Sequence, residues 1–147
     1  MKSIMNPRAW MIVSSIIALL MVGIGPMMAS SEDITMMAED NFGDMYTNAS
    51  DEDKATIENA MEESAYFFGA ANISLAVFIL GFAFLTEGST RAKSAIFSGG
   101  AVILWAIYSA AGWDGGIFYA AISTPMIIAG ALHLNLEEFE EAGGTSE

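Results

Sequence analysis

Residues 50–86 read SDEDKATIENAMEESAYFFGAANISLAVFILGFAFLT. The first part is acidic and amphipathic and the rest is apolar, and only Gly69 and Gly81 interrupt a stretch that holds no proline. In the acidic part Ile57, Ala60, Met61, Ser64, Ala65, Phe67 and Phe68 recur on one helical face, while Glu58, Asn59, Glu62, Glu63 and Tyr66 take the opposite one. From Ala65 to Thr86, 22 residues carry no charge. They open on Tyr66, Phe67 and Phe68, the kind of residues that gather where a bilayer meets water. The stretch therefore reads as one helix that starts in water and ends in lipid, a strut between an aqueous platform and a membrane bundle.

Composition agrees with a membrane class. Hydrophobic residues make up 54% of the 147, and the mean hydropathy of +0.46 is too high for an ordinary soluble domain of this size. Eighteen acidic against five basic residues set the net charge at -13, which repels phosphate backbones and argues against a nucleic-acid partner. With no cysteine, disulfides, thiolate metal sites, cysteine nucleophiles and iron–sulfur clusters are all excluded.

Three further apolar runs resemble the dry half of the opening stretch. Residues 9–29 form a run of 21, about 30 Å as a helix and enough to cross a hydrocarbon core. A cleaved signal peptide is the competing reading of residues 1–29, but Met27 is large for the minus-three position before a cut at Ala29, and a retained first span is expected. Residues 95–112 supply a third span and residues 116–136 a fourth. Between them, residues 87–94 (EGSTRAKS) read as a polar connection and Trp113 to Gly116 as a turn, with Asp114 capping the last helix. The acidic tail, residues 137–147, is expected to fray.

Residues 30–64 resemble the wet half. Ser30 and Asp33 have the spacing of a capping box, and Ile34, Met37, Ala38, Phe42 and Met45 then share one face of a short helix. Tyr46 to Ala49 read as its turn, and Ser50, followed by Asp51, Glu52 and Asp53, reads as the cap of the next helix. The expected fold class is all-α: an integral membrane four-helix bundle with a short extracytoplasmic amphipathic helical hairpin between spans one and two, in a single domain. Lys2, Arg8, Arg91 and Lys93 lie on one side and Lys54 alone on the other. The basic excess marks the cytoplasmic face, so both termini are expected inside a plasma membrane and residues 30–64 outside, with eleven of the carboxylates.

Few residues in the spans could carry chemistry. Asn72, Ser98, Tyr108, Ser123 and Thr124 are candidates for interhelical polar contacts or for lining a pore, since hydrocarbon satisfies no amide or hydroxyl. No Asp, Glu, Lys or Arg falls inside the four expected spans, which argues against a proton relay or an ion-coupled pump. Pro125 is expected to bend the fourth span. Pairs of small residues four apart, Ala70 and Ser74, Ala95 and Gly99, Ala106 and Ala110, Ala120 and Thr124, let helices approach closely within the bundle or between subunits.

His133, the sole histidine, stands one turn from Glu137, too few ligands for a metal site. The acidic hairpin lacks the alternating ligands and central glycine of a calcium loop. Its methionines are ordinary packing residues before they are copper ligands. Asp40, Asp44, Glu58, Glu62 and Glu63 form a candidate partner surface, and Asn48, Ala49 and Ser50 a glycosylation sequon on the same side. No phosphate loop, nucleophile elbow or zinc motif is present, and no motif carries a resemblance to a known family. The expected function is non-enzymatic and needs no cofactor: an accessory or scaffolding subunit that meets the lipid bilayer, other membrane subunits or its own copies through small-residue faces, and presents the acidic hairpin to a partner. The alternative is a small oligomeric channel or transporter whose acidic outer surface attracts cations.

Overall fold

The computed structural model describes residues 5–108 and 112–141, without the side chains of residues 108, 112–115 and 136–141. Among the described residues every regular element is helical. In chain order these are α1 (Pro7–Met27), α2 (Ser31–Phe42), α3 (Asp44–Thr47), α4 (Asp51–Leu85), α5 (Gly88–Tyr108) and α6 (Gly112–Glu141). Three are long and apolar enough to cross a bilayer: α1, α4 and, within α6, Gly116–Asn135. By length and composition this is consistent with an integral membrane protein.

The opening stretch is a single helix, as its composition predicts. Asp53 N–H is accepted by Ser50 Oγ at 3.2 Å, and Asp51, Glu52 and Asp53 fill the first turn, where a carboxylate favours the helix dipole. No break follows at the change from acidic to apolar residues. Upstream, Ser30 and Asp33 close the expected capping box: Ser30 Oγ accepts Asp33 N–H at 3.2 Å, and Asp33 Oδ2 accepts Ser30 N–H at 2.8 Å. Gly43, at φ +51, then stops α2 and allows the chain to turn directly into α3, so residues 44–47 are helical where the sequence reads a turn at Tyr46. Ile34 and Ala38 of the expected apolar face are buried, but Met37 and Met45 are exposed.

Two other boundaries depart from expectation. The connection after α4 is only Thr86 and Glu87, and Gly88, at φ +52, lets α5 begin at once, so Ser89 to Ser94 are helical. α5 therefore starts in charged residues and is not among the three helices apolar enough to span; the end of the expected third span, residues 109–111, lies outside the described residues. Trp113 to Gly116 belong to the first turns of α6 rather than to a loop, and α6 runs on to Glu141, taking in the start of the tail. Glycine is no barrier to a helix whose neighbours supply the packing. Residues 142–147 of the tail lie outside the described residues.

The chain divides into two compact units, Met1–Ile17 with Leu75–Glu147, and Ala18–Ser74. In the first, α5 and α6 form an antiparallel pair drawn together by glycine. A Cβ at Gly99 would stand 2.5 Å from Ile127 Cγ1 and 3.0 Å from Ser123 O, and one at Gly130 would stand 2.5 Å from Ala92 O. Only a hydrogen fits at either place. Ala92, Ala95, Ser98 and Val102 of α5 and Ile122, Ser123, Met126 and Ala129 of α6 are buried along this seam. The start of α1 closes on the pair, with Ser14 Oγ donating to Ile122 O at 2.7 Å. At one edge Phe82 meets Phe97 edge-on at 6.4 Å, and the Arg8 guanidinium lies 5.0 Å from the centre of the Phe84 ring.

In the second unit α1 departs from α geometry. Ala18–Ile24 wind as a wide π-type helix just before Pro26, re-pairing backbone groups that the proline ring would otherwise crowd. Gly23 lies within this stretch, and a Cβ there would stand 2.7 Å from Ile73 Cγ1. Gly69 answers it from α4, where a Cβ would stand 2.6 Å from Gly23 O and would overlap Met27. These two glycines set the approach of α1 to α4 within the unit.

Candidate functional site

The acidic part of the second unit is organised around one carboxylate. Glu58 faces α2 and α3 from the second turn of α4, and its Oε1 accepts the hydroxyl of Tyr46 in a short hydrogen bond and that of Thr35 at 3.2 Å. Tyr46 is 4% exposed, with the Lys54 ammonium 5.6 Å from its ring centre. By accepting a hydrogen bond from the phenol, Glu58 holds the Tyr46 hydroxyl above its ordinary range; burial and the carboxylate's charge act in the same direction. At the head of α2 the opposite holds: donors from the Ser30 side chain and backbone keep Asp33 below the usual carboxylate range.

Beside this cluster lies a pocket of about 210 Å³ lined by Ala29, Ser31, Ile34, Glu58, Asn59 and Glu62. Its chemistry is one hydroxyl, one amide and two carboxylates one helical turn apart, against an apolar wall from Ile34 and Ala29. Such a lining accepts hydrogen bonds and positive charge. Among the described residues no group of three or more histidine or acidic side chains is gathered for a metal.

The candidate partner carboxylates thus fall into two kinds. Glu58 is half-buried and already bonded to Tyr46 and Thr35, whereas Asp40, Asp44, Glu62 and Glu63 are exposed. Tyr46 and Thr35, which bond Glu58, are members of the candidate site that sequence reasoning missed, because a contact across 12 or 23 residues leaves no periodic trace. A tyrosine hydroxyl amid eleven carboxylates was the available signal.

The polar residues of the spans are dispersed. Asn72, in the second unit, is 1% exposed, and its Nδ2 donates to Phe68 O at 2.8 Å, one turn back on its own helix. Ser98 and Ser123 are both buried in the first unit; Ser123 Oγ donates to Ala120 O at 3.3 Å, while Ser98 Oγ has no hydrogen-bond partner among the described residues. Thr124, next to Ser123 in sequence, is exposed, and the side chain of Tyr108 lies outside the described residues. Ser14 and Ser15, which the sequence presents only as interruptions in an apolar run, are buried and bonded, Ser14 across to α6 and Ser15 to Met11 O at 2.7 Å. His133 is half-buried, and the side chain of Glu137, its expected neighbour, is outside the described residues.

Of the small-residue pairs, Ala95 and Gly99 are consumed in the α5–α6 seam. Ala70 with Ser74 on α4, and Ala120 with Thr124 on α6, remain exposed, Ala106 is half-buried, and Ala110 is outside the described residues. Large apolar side chains surround the open pairs: Phe67, Val77 and Phe78 on α4, Ile117 and Ile128 on α6. Comparison with protein families, with curated proteins and with solved structures gives no match.

Proposed function

We propose that this protein is a non-enzymatic accessory or scaffolding subunit of a plasma-membrane complex: a four-helix bundle with both termini in the cytoplasm and the acidic hairpin of residues 30–64 outside, offered to a partner. The observation that carries the reading is the division of small residues. One close-packing pair is spent inside the α5–α6 seam, while Ala70 with Ser74 and Ala120 with Thr124 stay on outward faces flanked by large apolar groups. In lipid a second helix gains little from hydrophobicity and much from close approach, so exposed small pairs are where another membrane subunit packs best. The hairpin supports the same role. Its fold is held by Tyr46, Thr35 and Glu58, leaving Asp40, Asp44, Glu62 and Glu63 available to a partner that brings positive charge.

Extraction from the native membrane in mild detergent, followed by native electrophoresis, tests this. The chain is expected to migrate with a larger complex, and Ala70→Leu with Ala120→Leu to release it. Migration as a lone chain, unchanged by either substitution, would end the scaffold reading. A small oligomeric channel is the second reading, favoured by the buried Ser98 hydroxyl that has no partner among the described residues. Cation flux into liposomes holding the purified chain, abolished by Ser98→Ala, would establish it instead.

A further inference from the structure

The turn that joins α3 to α4 holds a chemical group that scaffolding does not use. Asn48, Ala49 and Ser50 form an Asn-x-Ser acceptor sequence for N-linked glycosylation, and Asn72, Ile73 and Ser74 form a second. The fold separates the two. Asn72 is 1% exposed within the apolar length of α4, and its amide nitrogen is bonded to Phe68 O. Asn48 is exposed just past the last residue of α3, and its Nδ2 makes one bond, 2.9 Å, to the carbonyl of Asp44, itself an exposed residue.

Position favours Asn48 as well. Residues 51–64 form the wet part of α4, 14 residues or about 21 Å of helix between Asn48 and the apolar part. The turn thus lies at the far end of this wet length from the apolar part, with Thr47, Asn48 and Ser50 all exposed and Tyr46 bonded to Glu58. A glycan there extends from an exposed side chain and disturbs no buried residue, only the single bond to Asp44 O.

We infer that Asn48 is N-glycosylated, an inference that rests on the proposed placing of residues 30–64 outside the membrane. The donor is a lipid-linked oligosaccharide phosphate or pyrophosphate, used by a membrane glycosyltransferase. The bond between the anomeric carbon and the phosphate oxygen breaks, a bond from that carbon to Asn48 Nδ2 forms, and the amide proton leaves with the released lipid phosphate; nothing is oxidised or reduced. In the folded chain Ser50 Oγ donates to Asp53 Oδ2 at 2.6 Å and accepts Asp53 N–H. The acceptor hydroxyl is thus engaged in the helix cap, and transfer requires only that this exposed cap open, while the turn at Asn48 stays exposed and Asn72 stays buried.

The test is peptide mass spectrometry on the full chain purified from its native membrane. Trypsin cleaves after Lys54, which places Asn48 and Asn72 on different peptides, residues 9–54 and 55–91. A saccharide mass is expected on the first and none on the second, lost in Asn48→Gln and kept in Ser50→Thr. An unmodified Asn48, or a glycan on Asn72, overturns the inference. Because the chain has no cysteine, Thr47→Cys treated with a membrane-impermeant maleimide on intact cells separates the two failures. Labelling with Asn48 unmodified defeats glycosylation alone, whereas no labelling defeats the outside placement along with it.

Discussion

Replacing Gly130 by alanine would put a methyl carbon 2.5 Å from the Ala92 carbonyl oxygen and 2.8 Å from Ile96 Cγ1. Ordinary contact begins at 3.4 Å, so the shortfall against the oxygen is about 0.9 Å. The obstructing atom belongs to the backbone of α5 and cannot swing aside like a side chain. The helices must part, loosening the buried contacts of Ala92, Ala95, Met126 and Ala129. Overpacking of this kind costs about 1–3 kcal/mol. Gly100→Ala is the matched control, because nothing lies within 4 Å of a Cβ at Gly100. Both substitutions gain the same helix propensity, of about 1 kcal/mol, which cancels in the comparison. Gly130→Ala should therefore be less stable than Gly100→Ala by about 1–3 kcal/mol, roughly 5- to 150-fold in the folding equilibrium. Unfolding by sodium dodecyl sulfate in mixed micelles, followed by far-ultraviolet circular dichroism, measures the difference. Equal midpoints for the two variants would refute the account of the α5–α6 seam.

Three further outcomes follow from the acidic segment, residues 30–67. Ser30→Ala removes the acceptor for Asp33 N–H and should cost α2 about 1 kcal/mol, whereas Ser30→Thr should restore it, as read from amide exchange in the first turn of α2. The pH dependence has two edges. Asp33 is held below its ordinary value, so its contribution is complete above pH 3.8 and is lost as pH falls through the lowered value; Tyr46 is held above 10.0, so its contribution is complete below pH 10.0 and is lost as pH rises through the raised value. Circular dichroism across both limits should show helix lost at each end, and Tyr46→Phe should abolish the alkaline edge only. Spin labels placed singly at exposed positions from Asp51 to Phe67 should report the restricted mobility of one uninterrupted helix; coil-like mobility at the join near Ala65 would contradict a continuous α4.

Local signals were legible wherever neighbours in sequence decide the structure. The capping box of Ser30 and Asp33 and the Ser50 cap form as their spacing predicts, because each bond spans three residues. The ends of α5 and α6 were not legible. Glu87 to Ser94 looks like a loop by polarity, yet a single residue with positive φ, Gly88, completes the turn and leaves the remainder free to extend the helix. Periodicity grouped Glu58 with Asn59, Glu62 and Glu63 and Phe67 with Ile57 and Ala65, but it could not show that Tyr46 and Thr35 bond the Glu58 carboxylate or that Phe67 is left 69% exposed.

By itself, then, the sequence determines that this chain is helical, that it has apolar lengths sufficient to cross a bilayer, and that Asp51–Leu85 runs unbroken from acid to lipid-like residues. Those properties depend on rise per residue, hydropathy and capping, all local quantities. Only the tertiary structure decides which small residues are spent and which stay free. Ala95 with Gly99 and Ala120 with Thr124 are alike as motifs; the first pair meets a neighbouring helix at the contact limit and the second faces outward. The two Asn-x-Ser sequences are likewise equivalent until folding buries Asn72 and exposes Asn48. The reason is the same in each case: a residue's availability depends on what packs against it from a distant part of the chain, and that partner is invisible to any local pattern.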